Sequence, residues 1–282
     1  MTNWLLGVVL GLIQGISEWL PISSKTQIII ASSYLFPGLP LAQAYDFGLF
    51  LEAGTFVAAL FYFRREVWMV LKAIVGRGGE EGWLMLKFLF VVTVITALIG
   101  VAIFKVVSEA ASGHAPALGI PMIALGCVLI GDALLIAYAR GRYTPRKGLK
   151  DLTWADIVIV GIAQGVAALP GVSRSGATVS AMLLLGIKPE DSFKLSFLAL
   201  IPASLGAAGV TVLLSGTDLN AVITTVSLPV VLVAIVVTML IGVVFIGVLL
   251  RAAGSRNIVL LTFALGVLAI FSGASTILVG AG

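Results

Sequence analysis

Apolar residues fill most of this chain, and they occur in long runs that short polar segments separate. Six of the runs are long enough for a helix to cross the apolar core of a bilayer, which takes about 20 residues. They occupy residues 45–63, 84–107, 118–139, 192–214, 228–250 and 257–280. The pattern predicts six transmembrane helices.

Four shorter runs form two pairs, 4–16 with 28–36 and 157–169 with 177–187. The first run of each pair is too short to cross a bilayer at a helical rise of about 1.5 Å per residue, and it leads to a proline, Pro21 or Pro170. Each pair therefore predicts a re-entrant helical hairpin that enters the membrane, breaks and returns. The predicted fold class is an all-α polytopic membrane protein with six transmembrane helices and two re-entrant hairpins.

The composition agrees with a membrane protein. Of the 282 residues 60% are hydrophobic and 11% are charged, and the mean hydropathy is +1.17, whereas soluble domains carry about 25% charged residues. A single cysteine, Cys127, and a single histidine, His114, exclude an intrachain disulfide, a cysteine zinc cage and a multi-histidine metal site. The net charge of +4 is not taken as a sign of nucleic-acid binding, because charge position matters more in this class.

Basic residues are concentrated in four polar segments. If each hairpin returns to the side from which it came, the segments 64–83, 140–153, 188–194 and 251–256 fall on one side of the membrane. Together with Lys87 they hold 14 of the 17 lysines and arginines. The positive-inside rule then predicts a multi-pass protein of the plasma membrane, with these loops in the cytoplasm and both termini outside.

A short pattern occurs twice, as GLIQGI at 11–16 and GIAQGV at 161–166, and Leu-Pro follows each copy. With the predicted topology the two copies have opposite orientations. We therefore predict one membrane domain, 1–282, built from two inverted repeats of about 1–150 and 151–282, whose broken helices meet near the bilayer midplane. Gln14 and Gln164 match across the repeat, and we interpret them as residues that satisfy the backbone of the broken helices.

Both hairpins carry polar side chains directly after the proline. Arg174 and Lys25 supply cations, and each lies where a new helix begins, so the free N–H groups of that helix also favour an anion. The hydroxyl groups belong to Ser23, Ser24, Thr26, Ser173, Ser175 and Thr178. This combination predicts a pocket for phosphate or pyrophosphate. Glu18 would repel such an anion unless a divalent cation lies between them.

These motifs resemble those of the undecaprenyl pyrophosphate phosphatases of the bacitracin-resistance (BacA) type. The residues that carry the resemblance are QGISE at 14–18, LPISS at 20–24 and PGVSRSGAT at 170–178, and the span pattern extends it to essentially the whole chain. The resemblance implies a membrane enzyme that removes the terminal phosphate of a polyprenyl pyrophosphate at the outer membrane face and so recycles the lipid carrier of cell-wall glycan synthesis. It also implies a divalent cation, Mg²⁺ or Ca²⁺, at the glutamate motif, pyrophosphate at Arg174, and a serine or histidine of the first loop in hydrolysis.

The chain departs from the family in its first loop, where Gln27 takes the place of the family histidine and Thr26 that of a glycine. Glutamine cannot act as a base. Hydrolysis would then need direct attack by a serine, among which Ser23, Ser24 and Ser173 are alternatives, or a metal-activated water with Glu18 or Glu52 as base.

We predict Glu18, Ser24 and Arg174 as catalytic residues and Glu18 and Glu52 as metal ligands. The predicted substrate-binding residues are Ser23, Lys25, Thr26, Gln27, Ser173, Ser175 and Thr178. The leading hypothesis is a polyprenyl pyrophosphate phosphatase that acts on a membrane lipid, and the sequence also allows a homodimer. The alternative is a transporter or flippase of a polyprenyl phosphate or related lipid-linked anion, because inverted repeats with broken helices are typical of transporters.

Overall fold

The computed structural model of the protein describes residues 3–35, 41–110, 119–139, 146–169, 171–210, 227–253 and 258–278. The regular structure of these residues is helical, apart from one isolated bridge between Lys147 and Ile187. The α-helices are α1 (Asn3–Ser17), α2 (Ser24–Leu35), α3 (Leu41–Tyr62), α4 (Arg64–Ile74), α5 (Gly79–Ala110), α6 (Gly119–Ala139), α7 (Trp154–Val166), α8 (Arg174–Leu184), α9 (Pro189–Val210), α10 (Leu228–Ala253) and α11 (Ile258–Leu278). A 3₁₀ turn, Leu149–Asp151, precedes α7.

The helices follow the predicted apolar runs closely. The six long runs correspond to α3, α5, α6, α9, α10 and α11, and the four short ones to α1, α2, α7 and α8. Among the described residues, three stretches are long and apolar enough to cross a membrane by length and composition: Gly79–Ile103, Leu228–Ala253 and Val259–Leu278. The described part of the molecule is helical, and its long apolar helices are those of an integral membrane protein. Helix α4 was not predicted, because the sequence assigned its residues to a polar loop.

Both helix breaks fall at the predicted prolines. Helix α1 ends at Ser17 and α2 begins at Ser24, and the turn between them contains Pro21 and a serine with positive φ, Ser23 at 51°. Proline has no N–H to continue a helix, and its ring clashes with the preceding turn. Pro170 lies outside the described residues, but α7 stops before it and α8 begins soon after it.

Small residues allow α1 and α10 to pack closely side by side. A Cβ at Gly7 would lie 2.6 Å from the Val230 carbonyl oxygen, and one at Gly11 would lie 2.6 Å from that of Ala234. The residue numbers rise together along both helices, so α1 and α10 are parallel. Thr238 Oγ1 donates a hydrogen bond to the Gly11 carbonyl oxygen at 3.3 Å.

The second broken helix, α7, packs against α5 in the same manner. Gly161 faces Ile95 and Gly165 faces Ile99, so these helices are also parallel. Thr96 Oγ1 approaches the Gly161 carbonyl oxygen at 3.4 Å, which matches the threonine contact between α10 and α1. Helices α6 and α11 form an antiparallel pair through their glycines.

Three of the four basic segments meet at one end of the helix bundle. Lys194 at the start of α9 forms an ion pair with Glu66 of α4 at 3.0 Å, and Lys150 forms one with Glu80 of α5 at 3.2 Å. The Lys188 N–H donates to the Lys147 carbonyl oxygen at 2.9 Å. We call this the basic end. The contacts bring the described residues of three basic segments, 64–83, 146–153 and 188–194, together.

Candidate active site

The tips of the two hairpins touch each other. The hydroxyl groups of Ser173 and Ser175 donate hydrogen bonds to the Leu20 carbonyl oxygen at 3.1 and 3.2 Å. Gly176 faces Pro21 so closely that a Cβ on the glycine would lie 2.7 Å from the proline Cβ. The close approach requires glycine at this position, and it holds the polar segments of both hairpins in one place.

Glu18 lies at the centre of this contact. Its Oε1 accepts a hydrogen bond from Arg174 Nη2 at 3.2 Å, and its Oε2 accepts from Gln14 Nε2 at 3.1 Å and from Ser24 Oγ at 2.6 Å. The Glu18 side chain is 9% exposed and that of Arg174 is 17% exposed. The fold thus brings the three predicted catalytic residues into one largely buried cluster.

Arg174 is held from two directions. Its second terminal nitrogen, Nη1, donates to the Ser196 carbonyl oxygen in α9 at 3.1 Å. The Ser196 hydroxyl pairs with that of Thr178 at 2.5 Å, and Thr178 Oγ1 also donates to the Arg174 carbonyl oxygen at 2.9 Å. Sequence reasoning missed Ser196. Its only signal was a small polar residue in an apolar run, which is common in membrane helices.

Lys25 and Glu52 form a second ion pair, with Nζ and Oε1 2.7 Å apart. Lys25 lies in the first turn of α2, and Glu52 lies in α3. The two carboxylates predicted to share a metal are therefore each engaged by a different side-chain cation, Glu18 by Arg174 and Glu52 by Lys25.

Oxygen atoms around Glu18 fit a hard divalent cation. In the described part of the chain, no group of three or more histidine, cysteine, aspartate or glutamate side chains is placed to hold a metal ion. However, Gln14 Oε1 is buried and has no hydrogen-bond partner, while the amide to which it belongs contacts Glu18. Gln14, Glu18 and Ser24 together offer amide, carboxylate and hydroxyl oxygens, the ligand types that Mg²⁺ and Ca²⁺ bind. The amide of Gln14 thus contacts the site carboxylate, beyond the structural role that the sequence suggested.

The remaining polar residues of the first loop bond to one another and to α11. Thr26 Oγ1 donates to Ser23 Oγ at 3.0 Å. Gln27 Nε2 donates to the Ile22 carbonyl oxygen at 3.0 Å and to the hydroxyl of Ser272 in α11. Gln27, at the position of the family histidine, therefore anchors the loop. His114 lies outside the described residues.

The site is electrically balanced, with two carboxylates paired to two side-chain cations. The N-terminal ends of α2 and α8 add the partial positive charge of their free N–H groups. An incoming anion can therefore compete with the carboxylates for Arg174 and Lys25.

The chain matches a protein family and several named proteins. The model of the family described as bacitracin resistance protein BacA matches residues 7–271. A protein named undecaprenyl-diphosphatase from Saccharolobus solfataricus is 54% identical over 274 residues, which are 97% of this chain and 96% of that protein. Proteins of the same name from Sulfurisphaera tokodaii and Pyrobaculum aerophilum are 46% identical over 272 residues and 41% identical over 266 residues. The match to the Sulfurisphaera protein covers 96% of this chain and 98% of that protein. The match to the Pyrobaculum protein covers 94% of this chain and 95% of that protein.

Proposed function

Because the chain belongs to the BacA family, we propose that it hydrolyses undecaprenyl pyrophosphate, or a closely related polyprenyl pyrophosphate, to the monophosphate and inorganic phosphate. The names of its relatives support this activity. The observation that carries the proposal is the cluster of Glu18, Ser24 and Arg174 where the hairpin tips meet. Such a reaction recycles the lipid carrier for glycan synthesis.

Arg174 and Lys25 bind the pyrophosphate in this proposal. Arg174 presents a planar fork that suits phosphate oxygens, and Lys25 acts as a point charge. Both exchange their carboxylate partners for phosphate oxygens when the substrate enters. The hydroxyl groups of Ser173, Ser175 and Thr178 keep the second loop in position through their bonds to Leu20 and Ser196.

Ser24 is the proposed nucleophile, since its hydroxyl already donates to a carboxylate at 2.6 Å. Glu18 takes the hydroxyl proton while the Ser24 oxygen forms a bond to the terminal phosphorus. The bond from that phosphorus to the bridging oxygen breaks, and the polyprenyl monophosphate leaves. Glu18 passes this proton to the departing monophosphate and is a carboxylate again. Water then gives a proton to Glu18 as its oxygen bonds to the phosphoserine phosphorus, and the Ser24 oxygen takes that proton as its bond to phosphorus breaks, which releases phosphate.

A divalent cation is part of the proposal, held by Glu18 together with the oxygens of Gln14 and Ser24. When bound, it would neutralise charge on the phosphoryl oxygens. Glu52 instead positions Lys25 through their ion pair.

The proposed membrane topology has six crossing helices, two re-entrant hairpins and two inverted repeats. The parallel pairs α1–α10 and α7–α5, with matching threonine contacts, support the repeat. The meeting of the basic segments at one end supports the loop arrangement. We place the basic end in the cytoplasm, both termini outside, and the site open to the outer face.

The transporter alternative is not favoured, because the relatives are named as hydrolases over nearly the whole chain. The test is phosphate release from undecaprenyl pyrophosphate by purified protein, with Mg²⁺, with Ca²⁺ and with a chelator. We expect metal-stimulated release that Arg174→Ala and Glu18→Gln abolish. Arg174-dependent lipid binding without release would overturn the proposal.

A further inference from the structure

Helix α4 has two apolar faces, and within the part of the chain that the structure describes only one of them packs against other helices. Val67 and Val70 pack against the main hydrophobic core, and Ala73 is fully buried. Gly82 of α5 allows this closeness, because a Cβ there would lie 3.0 Å from the Met69 carbonyl oxygen. The inner face therefore fixes how the helix is rotated.

The outer face carries a second apolar stripe made of Trp68, Leu71 and Val75. These side chains are 59%, 48% and 67% exposed. Their spacing of three and four residues places them on one side of the helix. Ile74, also exposed, widens the stripe. Isolated apolar side chains are commonly exposed on protein surfaces, whereas a continuous apolar patch marks a contact surface.

Cations border the stripe. Arg64 and Arg65 precede it and are exposed, and Lys72 lies beside it with its Nζ 5.5 Å from the centroid of the Trp68 ring. The acidic residue of α4, Glu66, is already neutralised by Lys194. The charged residues of α4 are thus three cations and one neutralised carboxylate, and the chemistry that complements this helix is an apolar layer next to negative charge.

Other tryptophans at the basic end also fit a boundary between an apolar layer and charged headgroups. Trp83 and Trp154 are also largely exposed, at the starts of α5 and α7. Lys87 Nζ lies 3.7 Å from the centroid of the Trp154 ring. Tryptophan and lysine collect where the apolar core of a membrane meets its headgroups.

We propose that α4 is an interfacial helix that binds anionic phospholipid, with the stripe of Trp68, Leu71 and Val75 among the acyl chains and with Arg65 and Lys72 on the headgroup. An amphipathic helix with cations beside its apolar face binds membranes in this way. The proposal rests on the placement of the basic end at the membrane surface and is independent of the phosphatase chemistry.

The test uses a fluorescent label on α4. Because Cys127 is the single cysteine, a Cys127→Ala, Leu71→Cys protein takes an environment-sensitive dye at one place. Short-chain phosphatidylglycerol or phosphatidylcholine is titrated into the full-length protein in detergent, and the emission shift gives an apparent affinity. We expect phosphatidylglycerol to bind more tightly, and a label at Glu81→Cys to respond less.

Variants that remove charge test whether α4 is responsible for the preference for phosphatidylglycerol over phosphatidylcholine. Each cation near an anionic surface accounts for roughly a fivefold change in affinity, so Arg65→Gln with Lys72→Gln should weaken phosphatidylglycerol binding about 25-fold. The matched control, Arg146→Gln with Lys188→Gln, removes two exposed cations from the same end and should change little. Equal responses to the two lipids, or equal losses in both double variants, would overturn the proposal. Arg174→Ala should leave the titration unchanged, which separates this surface from the catalytic site.

Discussion

Ser24→Ala is the substitution that tests the proposed chemistry most directly. Three hydroxyl groups of the loops were alternatives for the nucleophile, and the structure gives them different partners. Ser24 Oγ donates to the Glu18 carboxylate at 2.6 Å, whereas Ser23 Oγ accepts from Thr26 at 3.0 Å and Ser173 Oγ donates to the Leu20 carbonyl oxygen at 3.1 Å. Only the first of these arrangements places a carboxylate, which can take up a proton, on the hydroxyl.

The size of the effect separates a nucleophile from a structural serine. If Ser24 only stabilised the start of α2, its loss would cost about 1 kcal/mol of helix stability. Turnover would then fall by roughly fivefold at most. If it only positioned Glu18, the lost bond to a charged group would cost about 1.5–3 kcal/mol, at most roughly 160-fold. A removed nucleophile should lower turnover at least about a thousandfold. Ser23→Ala is the matched control, with an expected loss of about fivefold.

The assay is phosphate release at saturating lipid, together with a search for the phosphoenzyme. Substrate labelled in its terminal phosphate should leave acid-stable label on the wild type, and not on Ser24→Ala. Lipid binding should survive in the variant, because Arg174 and Lys25 remain. A loss of turnover in Ser24→Ala of no more than roughly 160-fold, which the positioning role alone would account for, would refute the serine mechanism and return attention to a metal-activated water.

Two further predictions concern stability. In Gly11→Ala the new methyl group would lie 2.6 Å from the Ala234 carbonyl oxygen, so α1 and α10 must separate, at a cost of about 1–3 kcal/mol. A lower melting temperature in detergent is expected, while Gly131→Ala, where a Cβ meets nothing within 4 Å, should be neutral. At Asp156, outside the predicted spans, burial raises the pKa, but the hydrogen bonds from Thr153 and the ion pair with Lys147 outweigh it and lower the pKa overall. The Asp156 carboxylate therefore stabilises the folded state above the unfolded pKa of about 3.9, and this stabilisation is lost as the pH falls through the folded pKa. The melting temperatures of wild type and Asp156→Asn should accordingly converge below about pH 4.

Helix positions were predictable because they depend on local patterns. Runs of apolar residues and the prolines located ten of the helices to within a few residues. Helix α4 was missed because its apolar residues serve two opposite faces and alternate with charges, so it resembles a polar loop in a search for membrane spans. Its helical structure is stabilised by contacts with α5 and α9, which lie far away in the sequence.

The two motifs partly predicted which residues belong to the site. They did not predict which charged residues pair with each other. Glu18 and Arg174 are 156 residues apart, and their contact depends on how the hairpin tips dock. Glu52 was predicted as a metal ligand alongside Glu18, and it pairs with Lys25 because α3 packs beside α2 in that register. The amide of Gln14 belongs to the first motif, but its contact with Glu18 could not be read from that motif, and the carbonyl group of Ser196 lies at a position that no motif distinguishes.

Gln27 stands where the resemblance implies a histidine, and in the proposed mechanism its side chain need not accept a proton, because Glu18 does. The side-chain N–H groups of Gln27 bond to the loop backbone and to Ser272 of α11, while Glu18 occupies the proton-accepting position beside the Ser24 hydroxyl. A glutamine can perform the anchoring role, since that role needs only a hydrogen-bond donor. Proton transfer needs a titratable group, and the carboxylate supplies one. The substitution at position 27 therefore alters how the first hairpin is attached to α11 and leaves intact the pair of side chains on which the proposed hydrolysis depends.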